Sequence, residues 1–598
     1  MKINASLTII GFFLASLLSI LLVLGTVHRA EAQPSTADTV RFLEQSTFGP
    51  TSALIDHVQQ VGFDAFLNEQ LAAPLTDYPD LPAWPQTRPT VCTGTCQRDN
   101  YTPYQLQQHF FANALSGQDQ LRQRVAFALS QILVVSFVDV PLPGWMRGYV
   151  QLLYQEGLGN FRQLLYDLTL NPAMGRFLNM QGNRCRHIPA DVNICKTNGL
   201  SEPNENYARE ILQLFSIGLF QLNQNQDGSR QLDASGNPIP TYDQTTVTEF
   251  ARVFTGWVFA PNLPGPAADI PTVPNYRDPM VQHKSGQFED WHDRGVKTLL
   301  NYNGCPSGTC SGGTQLPAGH TADQDLNDAI DNIAGHPNVA PFISKQLIQH
   351  LVTSNPSPGY VQRIAGFFTA NQNSATQLFQ VVRAILLDPE ARGDSKEDPT
   401  AFPNYGKLRE PAQFITNILR AFNATSDGVL DSLNVGGSAI GSADMNEDIF
   451  NAPSVFSFFP PTARVPGQNV LGPEFAIFSS LTSLRRANFV NRVIFTPLSS
   501  TTNLTGIPAV PPDRPLGTSI DLSFWESLAG DPNKLIDGPD GDNGLNVLLL
   551  HDTMSAAMRQ SVVTAVTSIP NTSAANRRLR VRTAIYLILT SPQYQVQR

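Results

Sequence analysis

Asn204-Glu205-Asn206-Tyr207-Ala208-Arg209-Glu210-Ile211-Leu212-Gln213-Leu214-Phe215-Ser216-Ile217-Gly218 is the stretch on which the fold class turns. Tyr207, Ile211, Leu214 and Phe215 stand at i, i+4, i+7 and i+8, the apolar stripe of an amphipathic helix. Glu205, Asn206, Arg209, Glu210 and Gln213 fill the opposite sector, and Gly218 is placed to end the helix.

The same periodicity recurs on both sides. Thr246-x-x-Glu249 has the form of a capping box and opens a helix through Val247, Phe250, Ala251 and Phe254 to a stop at Gly256. Further helices are expected over 119–135, 149–170, 341–352, 374–387, 408–422 and 576–590. Strand-like alternation is scarce. The expected fold is therefore mainly α, a large multi-helix globular fold with long disulfide-bearing loops. Polar, Pro/Gly-rich stretches at 222–243, 260–290 and 303–322 read as insertions between helices, the last of them carrying Cys305 and Cys310. The segment 427–444, rich in Ser and Gly, separates a main helical region (33–430) from a C-terminal helical part (431–598).

The first 32 residues have a different character. Met1-Lys2-Ile3-Asn4 leads into an uncharged apolar run from Leu7 to Val27, and Ala30-Glu31-Ala32 has the small-x-small form of a cleavage site. A signal peptide over 1–32 is expected, with Sec-type export to the periplasm or medium and a mature start at Gln33. The run also approaches the ~20 residues of a spanning helix, so an uncleaved signal anchor is the competing expectation and the sole expected membrane contact. The formal charge of −10 becomes −11 on removal of Lys2, Arg29 and Glu31. An acidic surface argues against nucleic acid as a partner. Arg577, Arg578, Arg580 and Arg582 alternate with apolar residues and read as part of a C-terminal helix.

Six cysteines form three close pairs, Cys92 with Cys96, Cys185 with Cys195 and Cys305 with Cys310. Three local disulfides are expected in an oxidising compartment. Zinc is the alternative, but no C-x₂-C spacing has a matching second pair, and His187 is the single histidine within these loops.

Several phrases resemble the bacterial DUF1800 family. Arg41-Phe42-Leu43-Glu44-Gln45-Ser46-Thr47-Phe48-Gly49-Pro50-Thr51 looks like its opening motif, and residues 204–218 are the most specific match. Ala251-Arg252-Val253-Phe254-Thr255-Gly256-Trp257, His292-Asp293-Arg294-Gly295-Val296-Lys297-Thr298, His336-Pro337-Asn338 and the closing Ser591-Pro592-Gln593-Tyr594 continue the series. Where the family pattern carries a Trp-His-x-His-Phe stretch, this chain has Phe127-Ala128-Leu129-Ser130-Gln131-Ile132, which removes the basis for a metal site there. The resemblance implies an exported protein and a DUF1501-type exported partner. It implies no reaction and no cofactor.

Candidate site residues are Glu205, Arg209, Glu210, Arg252, His292 and Asp293. The Glu205/Arg209/Glu210 face reads as a ligand or acid–base site, as a solvated face with an i,i+4 pair, or as a buried network shared with the Glu249/Arg252 helix. His292-Asp293 reads as a metal ligand or a carboxylate-oriented histidine, against which stands the rarity of adjacent residues facing one site. His336 and His350 read as structural. Asp323-x-Asp325-x-Asn327 starts like an EF-hand, but Asp328 and Ala334 replace the required Gly and Glu. Residues 537–544, an acidic turn, read as a turn or a loose calcium loop. No G-x-S-x-G, H-E-x-x-H, P-loop or G-x-G-x-x-G is present. Two functions remain: a binding or assembly component of the cell envelope, or an extracytoplasmic hydrolase of a cell-surface polymer using Glu205, Glu210, His292 and Asp293. Convergence of the candidates on one open cleft favours the hydrolase, and burial in mutual pairs counts against it.

Overall fold

The structure is a computed structural model that describes residues 33–184, 202–223, 225–261, 274–285, 288–289, 291–302, 315–393, 402–430, 441–499, 503–511 and 515–598. It is mainly helical, with helices reaching from Thr36–Ser46 at the start to Ala574–Leu589 and Pro592–Gln595 near the end. The stripe that opened the sequence reading is buried at Tyr207, Ile211 and Phe215 in the helix Asn206–Gln213 and the turn after it.

Local chemistry explains where helices start and stop. The stretch 149–170 is two helices, Pro143–Glu156 and Phe161–Leu170, because Gly157 closes the first and the Asn160 side chain accepts the Gln163 N–H to open the second. The second helix of the central region is Gln244–Val253. Its N-cap is Asp243, which accepts the Thr246 N–H at 2.9 Å, so Thr246 and Glu249 form no capping box and Glu249 turns inward. Gly256 follows with φ +92°, a conformation that bends the chain back past His292.

The strands are two to four residues long. Leu504–Ile507, Thr518–Asp521 and Thr425–Ser426 form an antiparallel sheet with Thr518–Asp521 in the middle. Val596–Gln597 pairs antiparallel with Lys407–Leu408, placing Val596 opposite Leu408. One contiguous apolar core extends from Val40 to Tyr594, so both ends of the described chain are packed into it.

Two expectations are corrected. Among the described residues the disulfide is Cys92–Cys96, with a sequence separation of 4, so it closes a very short loop and the fold is not built on long disulfide-bearing loops. A loop that short removes little chain entropy, and the helices rest on the packed core instead. Cys185, Cys195, Cys305 and Cys310 lie outside the described residues. No helix among the described residues is long and apolar enough to cross a membrane, against the expected membrane contact through a signal anchor. Residues 1–32, where the anchor was expected, lie outside the described set, and no partner is indicated for the DUF1501-type assignment.

Candidate functional site

The six candidate residues separate into a surface group and a buried one. Glu205 and Arg209 form an i,i+4 pair at 3.0 Å with side chains 27% and 40% exposed. Glu205 also accepts from Gln244 Nε2 and from Thr248 Oγ1 at 2.9 Å, tying its helix to Gln244–Val253. Glu210 is half-buried. Burial raises its carboxyl above the ordinary range, the nearby Arg209 offsets this in part, and its Oε2 has no hydrogen-bond partner.

Arg252, His292 and Asp293 lie inside. Arg252 projects from Gln244–Val253 and donates from Nε to Asp293 Oδ2 at 2.7 Å and from Nη1 to Glu249 Oε2 at 2.6 Å. The chain returns to it through Thr255, whose hydroxyl donates to the Arg252 carbonyl and accepts the Asp293 N–H. Lys297 Nζ stands 2.6 Å from Asp325 Oδ2, and His292 Nε2 is 3.1 Å from that same oxygen. His292 Nδ1 faces the Thr255 carbonyl at 3.0 Å, so acceptors engage both ring nitrogens. His320 Nδ1 meets the other Asp325 oxygen at 3.1 Å.

Burial alone would raise Asp293 and Asp325. Arg252 and Lys297 beside Asp293, and His292 and Lys297 beside Asp325, instead hold both carboxyls below the ordinary range. Arg252, His292 and Asp293 are at most 2% exposed. A general acid or base must reach the proton that it moves. These three residues are engaged by one another and by Glu249, Lys297 and Asp325, and with the exposed Glu205/Arg209 pair they do not form one open cleft. Asp325, which the failed EF-hand pattern had flagged, is the buried anchor of this network. Among the described residues no three His, Cys, Asp or Glu side chains gather closely enough to hold a metal ion. The acidic turn closes on itself, with Asp540 accepting from Asn543 Nδ2 at 2.7 Å and from the Asp542 N–H at 3.2 Å.

Two further charged clusters escaped the sequence reading. In one, Glu410 lies 3.8 Å from Arg124 and 3.6 Å from Lys407, while Gln131 donates to it at 2.9 Å. Burial would raise Glu410, but Lys407, Arg124 and His350 hold it at about 2. Burial takes His350 down to about 3. Gln131 comes from the segment that replaces the family's histidine stretch.

The other cluster borders a small cleft of about 210 Å³ lined by Arg409, His551, Thr553, Gln593 and Arg598 among others. Arg409 Nη2 donates to both oxygens of Glu44, at 2.8 and 2.7 Å, and its Nη1 donates to the Tyr594 carbonyl. His551 Nε2 lies 3.1 Å from Glu44 Oε2. His551 and its neighbour Asp552 both have left-handed backbone, φ +52° and +61°, a conformation that costs a non-glycine residue energy and clusters at functional sites. The available signal was a charge embedded in an apolar run, as in Phe42-Leu43-Glu44 and Leu549-Leu550-His551.

No curated protein and no solved structure matches the chain. The profile of the family described as Protein of unknown function (DUF1800) matches residues 41–596, a span that begins at the Arg41 motif carrying Glu44 and runs past the Pro592-Gln593-Tyr594 segment closing over Arg409. With nearly its whole length inside that match, the chain belongs to the DUF1800 family.

Proposed function

We propose that the protein is a binding or assembly component of the bacterial cell envelope, exported by the Sec route with cleavage after Ala32. The observation that carries this reading is the fate of the candidate acid–base groups. Arg252, Asp293, Lys297 and Asp325 neutralise one another below the surface, while two of the larger open concavities are lined mainly by amides, hydroxyls, apolar side chains and aromatic rings, with the carboxylates Asp56, Asp521 and Asp542 in one of them. That is the make-up of a recognition surface. The Cys92–Cys96 disulfide is consistent with an oxidising destination.

The test is intact mass of protein recovered from periplasm and medium, with the same material screened for hydrolysis of cell-surface polymers. Export predicts a mature chain beginning at Gln33. A chain retaining residues 1–32 in the cytoplasm overturns export, and turnover lost in Glu210→Gln overturns the binding reading.

A second reading, hydrolysis of a cell-surface polymer, is favoured by the Glu44–His551 pair at the Arg409 cleft. His551 lines that cleft at 3% exposure, with its Nε2 3.1 Å from Glu44 but not hydrogen-bonded, so a base there would act only on a proton brought to the cleft edge. Under this reading His551→Gln abolishes turnover while leaving the circular dichroism spectrum unchanged.

A further inference from the structure

A cleft of about 590 Å³ lies where the Thr36–Ser46 and Ser52–Val61 helices meet the chain after Pro411–Ala421 and the segment 521–548. Its size falls within the ~300–1,000 Å³ typical of small-molecule sites. Neither the candidate residues nor the Glu44–His551 pair lines it.

Three aromatic side chains form one wall. Phe422 and Trp525 meet edge to face at 6.2 Å, and Trp525 meets Phe524 at 5.0 Å and 82°. Phe524 is 56% exposed, a large apolar ring left facing a concave surface. Three carboxylates, Asp56, Asp521 and Asp542, share the lining, and it contains no Lys, Arg or His. None of the three forms an ion pair among the described residues. Asp542 accepts the Thr36 hydroxyl at 2.7 Å and Asp521 accepts the Ser523 hydroxyl at 2.6 Å. Hydroxyls satisfy an oxygen without cancelling its charge. The concavity therefore combines one exposed aromatic ring, Phe524, backed by the buried Trp525 and Phe422, with carboxylates that no cation pairs among the described residues, and these are not gathered for a metal ion.

We propose that this cleft binds an organic ammonium group, the exposed Phe524 ring attracting the cation through its quadrupole and the aspartates through Coulomb attraction. A phosphate- or carboxylate-bearing ligand meets like charge here. A neutral sugar uses the rings and hydroxyl acceptors but gains nothing from the charge. The inference deepens the binding reading above by naming a ligand class, and rests on it.

The test is calorimetric titration of the purified protein with choline chloride at about 50 and about 500 mM NaCl, since screening shortens from a Debye length of ~14 Å to ~4 Å over that range. Calcium chloride and maltotriose are titrated in parallel. Expected is saturable choline binding that weakens several-fold in the higher salt. Phe524→Ala should weaken it by about 3- to 10-fold, the range of one cation–π contact. Asp56 is exposed and forms no ion pair among the described residues, so Asp56→Asn should leave the fold intact and weaken choline by about 2- to 5-fold. The proposal is overturned by absence of saturable choline binding, by binding that neither variant changes, by salt-independent preference for maltotriose, or by binding of calcium alone. None of these outcomes bears on export, which the mature mass decides separately.

Discussion

Glu44 shows how a single residue can carry pH dependence. Burial works to raise its carboxyl, yet Arg409 and His551 beside it lower it from 4.5 to about 2. A carboxyl whose folded pKa is depressed contributes stability that is present above its unfolded value and lost as pH falls through the folded one. The window is therefore pH 4.5 down to about 2, and the contribution is about 3 kcal/mol at 1.36 kcal/mol per unit. Glu44→Gln should lower unfolding free energy at neutral pH by about 3–5 kcal/mol, because Arg409 is left buried with an uncancelled charge. Urea denaturation from pH 7 to pH 2 checks this. The variant should lose part of the acid-dependent slope and keep the part due to Glu410, which is also held at about 2. An unchanged slope would remove Glu44 from the account. The exposed Glu205–Arg209 pair is a contrast, since such pairs contribute about 0.2–0.5 kcal/mol.

At the scale of elements, periodicity was legible and partners were not. Tyr207, Ile211 and Phe215 could be placed in the core because 3.6-residue spacing is a local property of the chain. Nothing local says that Arg252 bonds Asp293 across 41 positions, or that Glu44 meets Arg409 across 365. The helix-start error at Thr246 was local competition, since Asp243 captured the N–H that the expected capping box needed and Glu249 was drawn to Arg252. The helix stops at Val253, short of the expected Gly256, and what Gly256 does instead was not readable. A Cβ there would sit 3.0 Å from His292 Cβ and 3.1 Å from its backbone nitrogen, and φ +92° is closed to other residues without strain. Gly256→Ala should therefore displace His292 and destabilise by more than the ~1 kcal/mol expected for Asp243→Ala, which only removes a cap. Thermal melts of the two variants side by side give the ranking, and a Gly256→Ala chain as stable as the parent contradicts the close approach.

Across the whole molecule, one guanidinium joins regions from both ends of the chain. Arg409 grips Glu44 in the first described helix, donates to the Tyr594 carbonyl near the last residue, and lies 4.4 Å over the Tyr594 ring. Tyr594 is fully buried and its hydroxyl donates to Asn417 at 3.0 Å. The strand Val596–Gln597 then covers Lys407–Leu408, with the Arg409 N–H bonded to the Gln595 carbonyl at 2.9 Å. The segment from Tyr594 onward is thus a structural closure, as its place in the shared core requires. Truncation before Tyr594 deletes a buried aromatic worth about 3–5 kcal/mol. It also exposes the Lys407–Leu408 edge and opens the Arg409 site to water. Against a total stability of about 5–15 kcal/mol, those losses should leave no cooperative folded state. Differential scanning calorimetry should show a cooperative transition for the parent and none for the truncated chain. A parent-like transition in the truncated chain would mean that the core closes without its C-terminal segment, and that Arg409 finds its contacts elsewhere.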